Sequence, residues 1–223
     1  MSNLFLRGLQ SRSPRARTSR SCLFRIVALA ALCFAGTVCA HAQLGAAPMR
    51  FRDVSALKPP AGARVAIIEF DDLECPACAE ANRVLMRAAA QYKIPWIRHD
   101  FLIPYHQWSP VAAVNARWFD TKSKALGDAY RNAVFANQAS IETRGDLQNL
   151  TQRFAQQHGT ALPFVMDPQG KLAAEVRADA ALGEKMGVHE TPTAWVVTDH
   201  GYKQVTDFSK LYSMLDEAEA ETK

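Results

Sequence analysis

The chain has 223 residues, enough for one good-sized domain or two small ones, with an apolar fraction of 48% and a charged fraction of 22%. Those fractions belong to an ordinary globular protein and exclude wholesale disorder and collagen-like repetition. The formal net charge of +4 is misleading, because six arginines and no Asp, Glu or Lys fall within the first 42 residues.

That first stretch carries Arg7, Arg12, Arg15, Arg17, Arg20 and Arg25, then the apolar run from Ile26 to Ala35, then Ala40-His41-Ala42 before Gln43. A basic segment, a short apolar segment and a small-residue exit make a secretory signal peptide, with cleavage expected near Ala42. The alternative is an uncleaved anchor, but the apolar run is shorter than the ~20 residues of a spanning helix. The long basic segment leaves room for a start codon downstream of Met1. Neither Cys33 nor Cys39 sits in a lipoprotein-type context, and there is no Arg-Arg pair for twin-arginine export. Removing 1–42 leaves 20 basic and 22 acidic residues, a net charge of −2. The basicity therefore gives no argument for nucleic acid or a membrane surface. The expected location is periplasmic or otherwise extracytoplasmic.

Processing also removes Cys22, Cys33 and Cys39, leaving Cys75 and Cys78 as the only cysteines. Disulfides persist in an oxidising compartment, so these two pair with each other or with another molecule. Residues 43–62 read as a short lead-in, with Pro59-Pro60 marking a linker or strand entry. Val65 to Phe70 then reads as a buried strand, rich in β-branched residues. Pro76 to Gln91 is rich in helix formers, and Pro76 suits a first helical turn. Cys75 is thus placed at a helix N-terminus, where unpaired N–H groups and the helix dipole favour a thiolate. Cys78, one turn on, can resolve a mixed disulfide.

A structural staple is disfavoured, because a loop of two intervening residues gains little on closure. A zinc site lacks its second pair of ligands: His99, His106, His158, His189 and His200 show no tight spacing. A two-thiolate Cu(I) carrier stays open.

Ile94 to Ile103 reads as a second strand. The next 85 residues or so read as helices: Val111, Val114 and Trp118 share one face, Leu126, Ala129, Tyr130 and Ala133 another, Leu147, Leu150 and Phe154 a third, and Lys171 to Met186 forms an Ala-rich segment. Val188 to Val197 holds Thr191-Pro192 before a third strand. Asp199-His200-Gly201 is a hairpin turn, Lys203 to Thr206 the return strand, and Asp207 caps a terminal helix with Phe208, Leu211, Tyr212 and Leu215 on one face.

Strand, Cys75-Pro76-Ala77-Cys78, helix, and far downstream Thr191-Pro192 before a strand, resemble the thioredoxin superfamily. The long helical stretch between the second and third main strands resembles its DsbA-like branch. The resemblance runs from about Ala63 to Ala220. It implies an α/β, thioredoxin-like fold with a helical insertion: a core of 63–103 and 188–223, and an insertion of 104–187. It implies a thiol–disulfide oxidoreductase that introduces disulfides into exported proteins, or alternatively a reductase or isomerase fed by a membrane electron donor. Cys75 becomes the exposed attacking thiol and Cys78 the resolving one. Pro192 becomes a cis-proline facing them, and Pro76, Ala77 and Thr191 the substrate-docking surface. Glu69, inside an apolar strand, resembles the buried carboxylate that exchanges protons beneath the cysteines, with burial raising its pKa. Asp71, Asp72 and Glu74 read instead as solvated loop charges that slightly raise the thiol pKa. The prototype of the branch has His where this chain has Ala77, which implies a weaker oxidant. The implied partners are cysteine-containing exported proteins and a membrane-bound redox partner, with the chain a monomer that binds no nucleic acid. No phosphate loop, serine triad or flavin fingerprint appears, so no cofactor is implied.

Overall fold

The computed structural model describes residues 53–223. The signal-peptide segment 1–42, with its expected cleavage, lies outside the described residues. The order of elements is β1 (Val65–Asp71), α1 (Pro76–Tyr92), β2 (Trp96–Asp100), α2 (Ser109–Asp120), α3 (Lys124–Asn137), α4 (Arg144–Gln157), α5 (Lys171–Met186), β3 (Thr193–Thr198), β4 (Tyr202–Val205) and α6 (Leu211–Glu221). The expected α/β architecture, with helices inserted between the second and third strands, is the one the chain forms.

The sheet runs in the order β2-β1-β3-β4. β2 pairs parallel with β1, while β3 pairs antiparallel with both β1 and β4. β1 is central, and all seven of its residues are buried. That explains its nearly continuous apolar run, since a strand covered on both faces has no solvent side to alternate with. Side chains alternate between the faces along a strand. Val65 and Ile67 meet Ala81, Leu85 and Ala88 of α1 and Leu211 and Leu215 of α6. Ala66, Ile68 and Phe70 meet Trp195, Val197, Met186 and Val188 on the other face. Leu57 belongs to that second cluster, so part of the lead-in packs on the sheet instead of serving as a free linker.

The insertion has its own core around Phe119, Tyr130 and Phe154, and that core continues into Leu73, Cys75, Cys78 and Ala79. One face assignment differs from expectation. Val111 is exposed, and α2 packs through Ala112, Ala116 and Phe119. A helix so rich in alanine has a weak apolar stripe, and small residues let the neighbouring helix approach. The terminal helix also differs: Asp207 caps a 3-10 turn over Phe208–Lys210 that runs into α6.

Polar bonds dock the insertion on the sheet. Asp179 of α5 accepts from Arg117 of α2, from the Asp100 N–H (3.1 Å) and from His99 Nδ1 (2.9 Å). Arg117 Nε also donates to Asp100 (2.7 Å). Inside the insertion, the buried Arg131 forms a two-pronged pair with Asp120 at 2.8 and 2.6 Å. Gly127 is what makes room, since a Cβ there would lie 1.7 Å from Asp120 Oδ1. Gly127→Ala must therefore displace a buried pair. It should lower unfolding free energy by about 2–4 kcal/mol, read as an earlier midpoint in denaturant.

Candidate active site

Cys75 is the N-cap residue of α1, with Pro76 in the first turn. Its Sγ donates to the Thr191 carbonyl at 3.4 Å, which joins two segments 116 residues apart in sequence. The Thr191–Pro192 peptide bond is cis. Both cysteines are free thiols. Cys75 is only 8% exposed and Cys78 is fully covered. The expectation of an open attacking thiol is thereby corrected: the insertion core closes over the pair, and Cys75 keeps a narrow window.

The two thiols are driven apart. The Cys78 thiol donates toward Cys75 and, against the cost of burial, helps pull the Cys75 pKa down to about 6. Thr191 and the backbone N–H groups of Cys78 and Ala77 act in the same direction. The Thr191 hydroxyl is buried with no other partner, so it is free to turn toward a thiolate. Burial pushes the Cys78 thiol strongly up, and its donation to Cys75 and the Asp71 carboxylate add to the effect. Among the described residues, the leading influences that lower the Cys75 pKa are thus hydrogen bonds and not a cation.

Glu69 is fully buried in β1 on the face that meets α1. Trp96 Nε1 donates to its Oε2 at 2.9 Å, and Oε1 has no partner. Burial and the nearby Asp71 raise its pKa to about 8, against the opposing pull of Arg98 and Trp96. Burial and the bare Oε1 both favour the protonated acid.

The reading of Asp71, Asp72 and Glu74 as solvated loop charges is overturned. Asp71 and Asp72 are each 1% exposed. Asp71 takes two hydrogen bonds from Arg98, at 3.1 and 2.6 Å. Asp72 accepts from the N–H groups of Glu74 (2.8 Å) and Ile103 (2.7 Å) and from His106 Nδ1 (2.9 Å). Glu74 accepts three N–H groups at the start of α2. Sequence reasoning missed all three, although the four acids within Glu69 to Glu74, set against Arg98 on the next strand, were a usable signal.

A groove of about 530 Å³ opens between α1 and the Thr191–Pro192 loop, lined by Ala77, Glu80, Val84, Thr191, Pro192 and Phe208 among others. Pro76, also expected at this surface, is exposed but outside the lining. Among the described residues, no group of three or more His, Cys, Asp or Glu side chains is arranged to hold a metal ion.

Two outcomes follow from these environments. Thr191→Val keeps the volume but removes the hydroxyl, and should move the thiolate titration of Cys75 upward from about 6, read by ultraviolet absorbance of the reduced protein. Glu69 binds a proton in the fold that the unfolded chain releases above its ordinary 4.5. Its contribution to stability is complete below 4.5 and is lost as pH rises toward 8. Glu69→Gln should abolish that slope and gain about 1–3 kcal/mol over the parent near pH 8, measured by denaturant titration across the range.

The sequence profile of a family described as thioredoxin matches residues 61–217. No curated protein sequence matches the chain. Solved structures share the fold. Alpha-DsbA1 of Wolbachia pipientis superposes with a TM-score of 0.56 at 19% identity, over 74% of this chain and 92% of that one. The thiol-disulfide exchange protein alpha-DsbA2 of the same organism gives 0.58 at 18%, over 72% and 84%. Proteus mirabilis ScsC gives 0.57 at 15%, over 73% and 71%. With the profile covering most of its length, this chain belongs to the thioredoxin family of thiol–disulfide oxidoreductases, and its fold is that of the DsbA-like branch.

Proposed function

We propose that the chain is exported and introduces disulfides into secreted proteins by exchange through Cys75 and Cys78. The observation that supports this direction is the opposed environment of the two thiols. A nucleophile whose thiolate is favoured stabilises the reduced protein, and a stabilised reduced form makes the disulfide a stronger oxidant.

In the oxidised protein a client thiolate attacks Cys75 Sγ. The Cys75–Cys78 bond breaks as the client–Cys75 bond forms, and Cys78 leaves with the electron pair. Its high thiol pKa means that it must take up a proton, and the role of donor falls in this reading to Glu69, whose own pKa burial raises. A second client thiolate then attacks the client sulfur of the mixed disulfide. Cys75 leaves as thiolate, which its low pKa makes easy. The client has lost two electrons and the protein has gained them. A membrane-bound partner takes those electrons and restores the disulfide. The groove beside Thr191 and Pro192 receives the client as an extended segment, with the Thr191 backbone pairing as in strand addition.

A second reading, reduction or isomerisation driven by a membrane electron donor, draws on Ala77, which offers no imidazole to the Cys75 thiolate. Equilibration with glutathione buffers separates the two. Disulfide donation predicts a potential above about −200 mV, whereas a value near ~−270 mV, the thioredoxin range, assigns reduction. Cys78→Ala should trap mixed disulfides with client proteins through Cys75, seen as adducts that a reductant dissolves. Brief alkylation of the reduced chain at neutral pH should label Cys75 first, and labelling of Cys78 ahead of it would reverse the roles.

A further inference from the structure

Two groups that grip the reactive loop take no part in the exchange chemistry. α2 starts at Ser109, and the residue at its N-cap position, Trp108, has no side-chain acceptor. The first N–H groups of a helix need acceptors. Here they find one in Glu74, the residue immediately before Cys75. Glu74 Oε1 accepts from Gln107 N–H at 3.0 Å, and Oε2 accepts from Trp108 at 2.7 Å and Ser109 at 2.8 Å. From the other side Gln138, just after α3, donates Nε2 to the carbonyls of Leu73 (2.9 Å) and Cys75 (3.0 Å). Trp108 is buried in the cluster that holds Cys75 and Cys78.

We propose that Glu74 and Gln138 are positioning residues for Cys75, through which the insertion helices hold the nucleophile at the start of α1 and against the Thr191 carbonyl. Neither side chain hydrogen-bonds the sulfur. Each fixes the backbone on which the sulfur is carried. The three amides also offset the Glu74 carboxylate, which would otherwise stand as a bare anion next to a thiolate. The proposal rests on the reading of Cys75 as the exchange nucleophile.

The test is the thiolate titration of the full reduced chain. Gln138→Ala changes no charge, so an upward shift of the Cys75 midpoint reports position alone. The expected shift is about half a unit to one unit, with alkylation near the parent's midpoint slowed about threefold. Glu74→Ala removes an anion, which by itself would lower the midpoint. A net rise shows that lost placement outweighs lost charge. The control must lie away from this network, and Thr143 does not, since its neighbour Arg144 donates to the Gln107 carbonyl. Ser123 serves this purpose: Ser123→Ala removes the N-cap of α3 at the end of that helix opposite Gln138, and should lower the melting temperature with the midpoint unmoved. An unmoved midpoint in folded Gln138→Ala, or a fall in Glu74→Ala, overturns the proposal. If Glu74→Ala does not fold, Gln138→Ala decides. Failure of the underlying reading is separate: it shows in the unsubstituted chain, as a Cys75 that titrates like an ordinary thiol or is labelled after Cys78.

Discussion

Four carboxylic acids enter the protein within six residues, at Glu69, Asp71, Asp72 and Glu74, and burying a carboxylate without partners costs several kcal/mol. Much of the surrounding architecture answers that constraint, differently for each acid. Glu69 has one donor and one bare oxygen, an environment that favours its protonated form. Asp71 takes a guanidinium from the neighbouring strand. Asp72 collects two amides and an imidazole. Glu74 closes the open end of a helix. Because these solutions draw on β2, the β2–α2 connection and α2 itself, they fasten the insertion to the loop that carries the cysteines. The chemistry at Cys75 and the packing of the insertion are therefore one problem.

The local and periodic features were legible in the sequence. Val65 to Phe70 announced a covered central strand, Pro76 announced the start of α1, and the Ala-rich run from Lys171 to Met186 matches α5. The order of Cys75, Cys78 and Pro192 was legible too, through resemblance to a family. Strand ends were less so. Ile94 to Ile103 read as strand, but β2 covers only Trp96–Asp100, because pairing with β1 ends where β1 ends. What the sequence hid was tertiary. Asp72 and Glu74 look like loop charges until the N-terminus of α2 and His106, more than thirty residues on, are folded against them. Val111 looks apolar and inward until Ala112 and Ala116 are seen to make the contact instead. A local pattern gives the type of an element. It does not say which distant donor a carboxylate will find.

The placement of Cys75 shows how hydrogen bonds, without a positive side chain among the leading influences from the described residues, lower a thiol pKa. A partner thiol, a hydroxyl and the first amides of α1 each contribute a little, and together they outweigh the burial that acts against them. Donors fixed in the backbone do not titrate. The thiolate so stabilised stays favoured across the neutral range.

The way α2 is capped also bears on modularity. A helix that ends its own hydrogen bonds can be moved between proteins as a cassette. This one borrows its acceptor from the redox loop, and the redox loop borrows Gln138 in return. Cutting out 104–187 and rejoining the ends would strand Glu74 without its three donors and take His106 from Asp72, so the insertion is not an ornament on a self-sufficient core. Residues 72–75, 103–109 and 138 form a seam in which a change on one side removes a hydrogen-bond partner from the other.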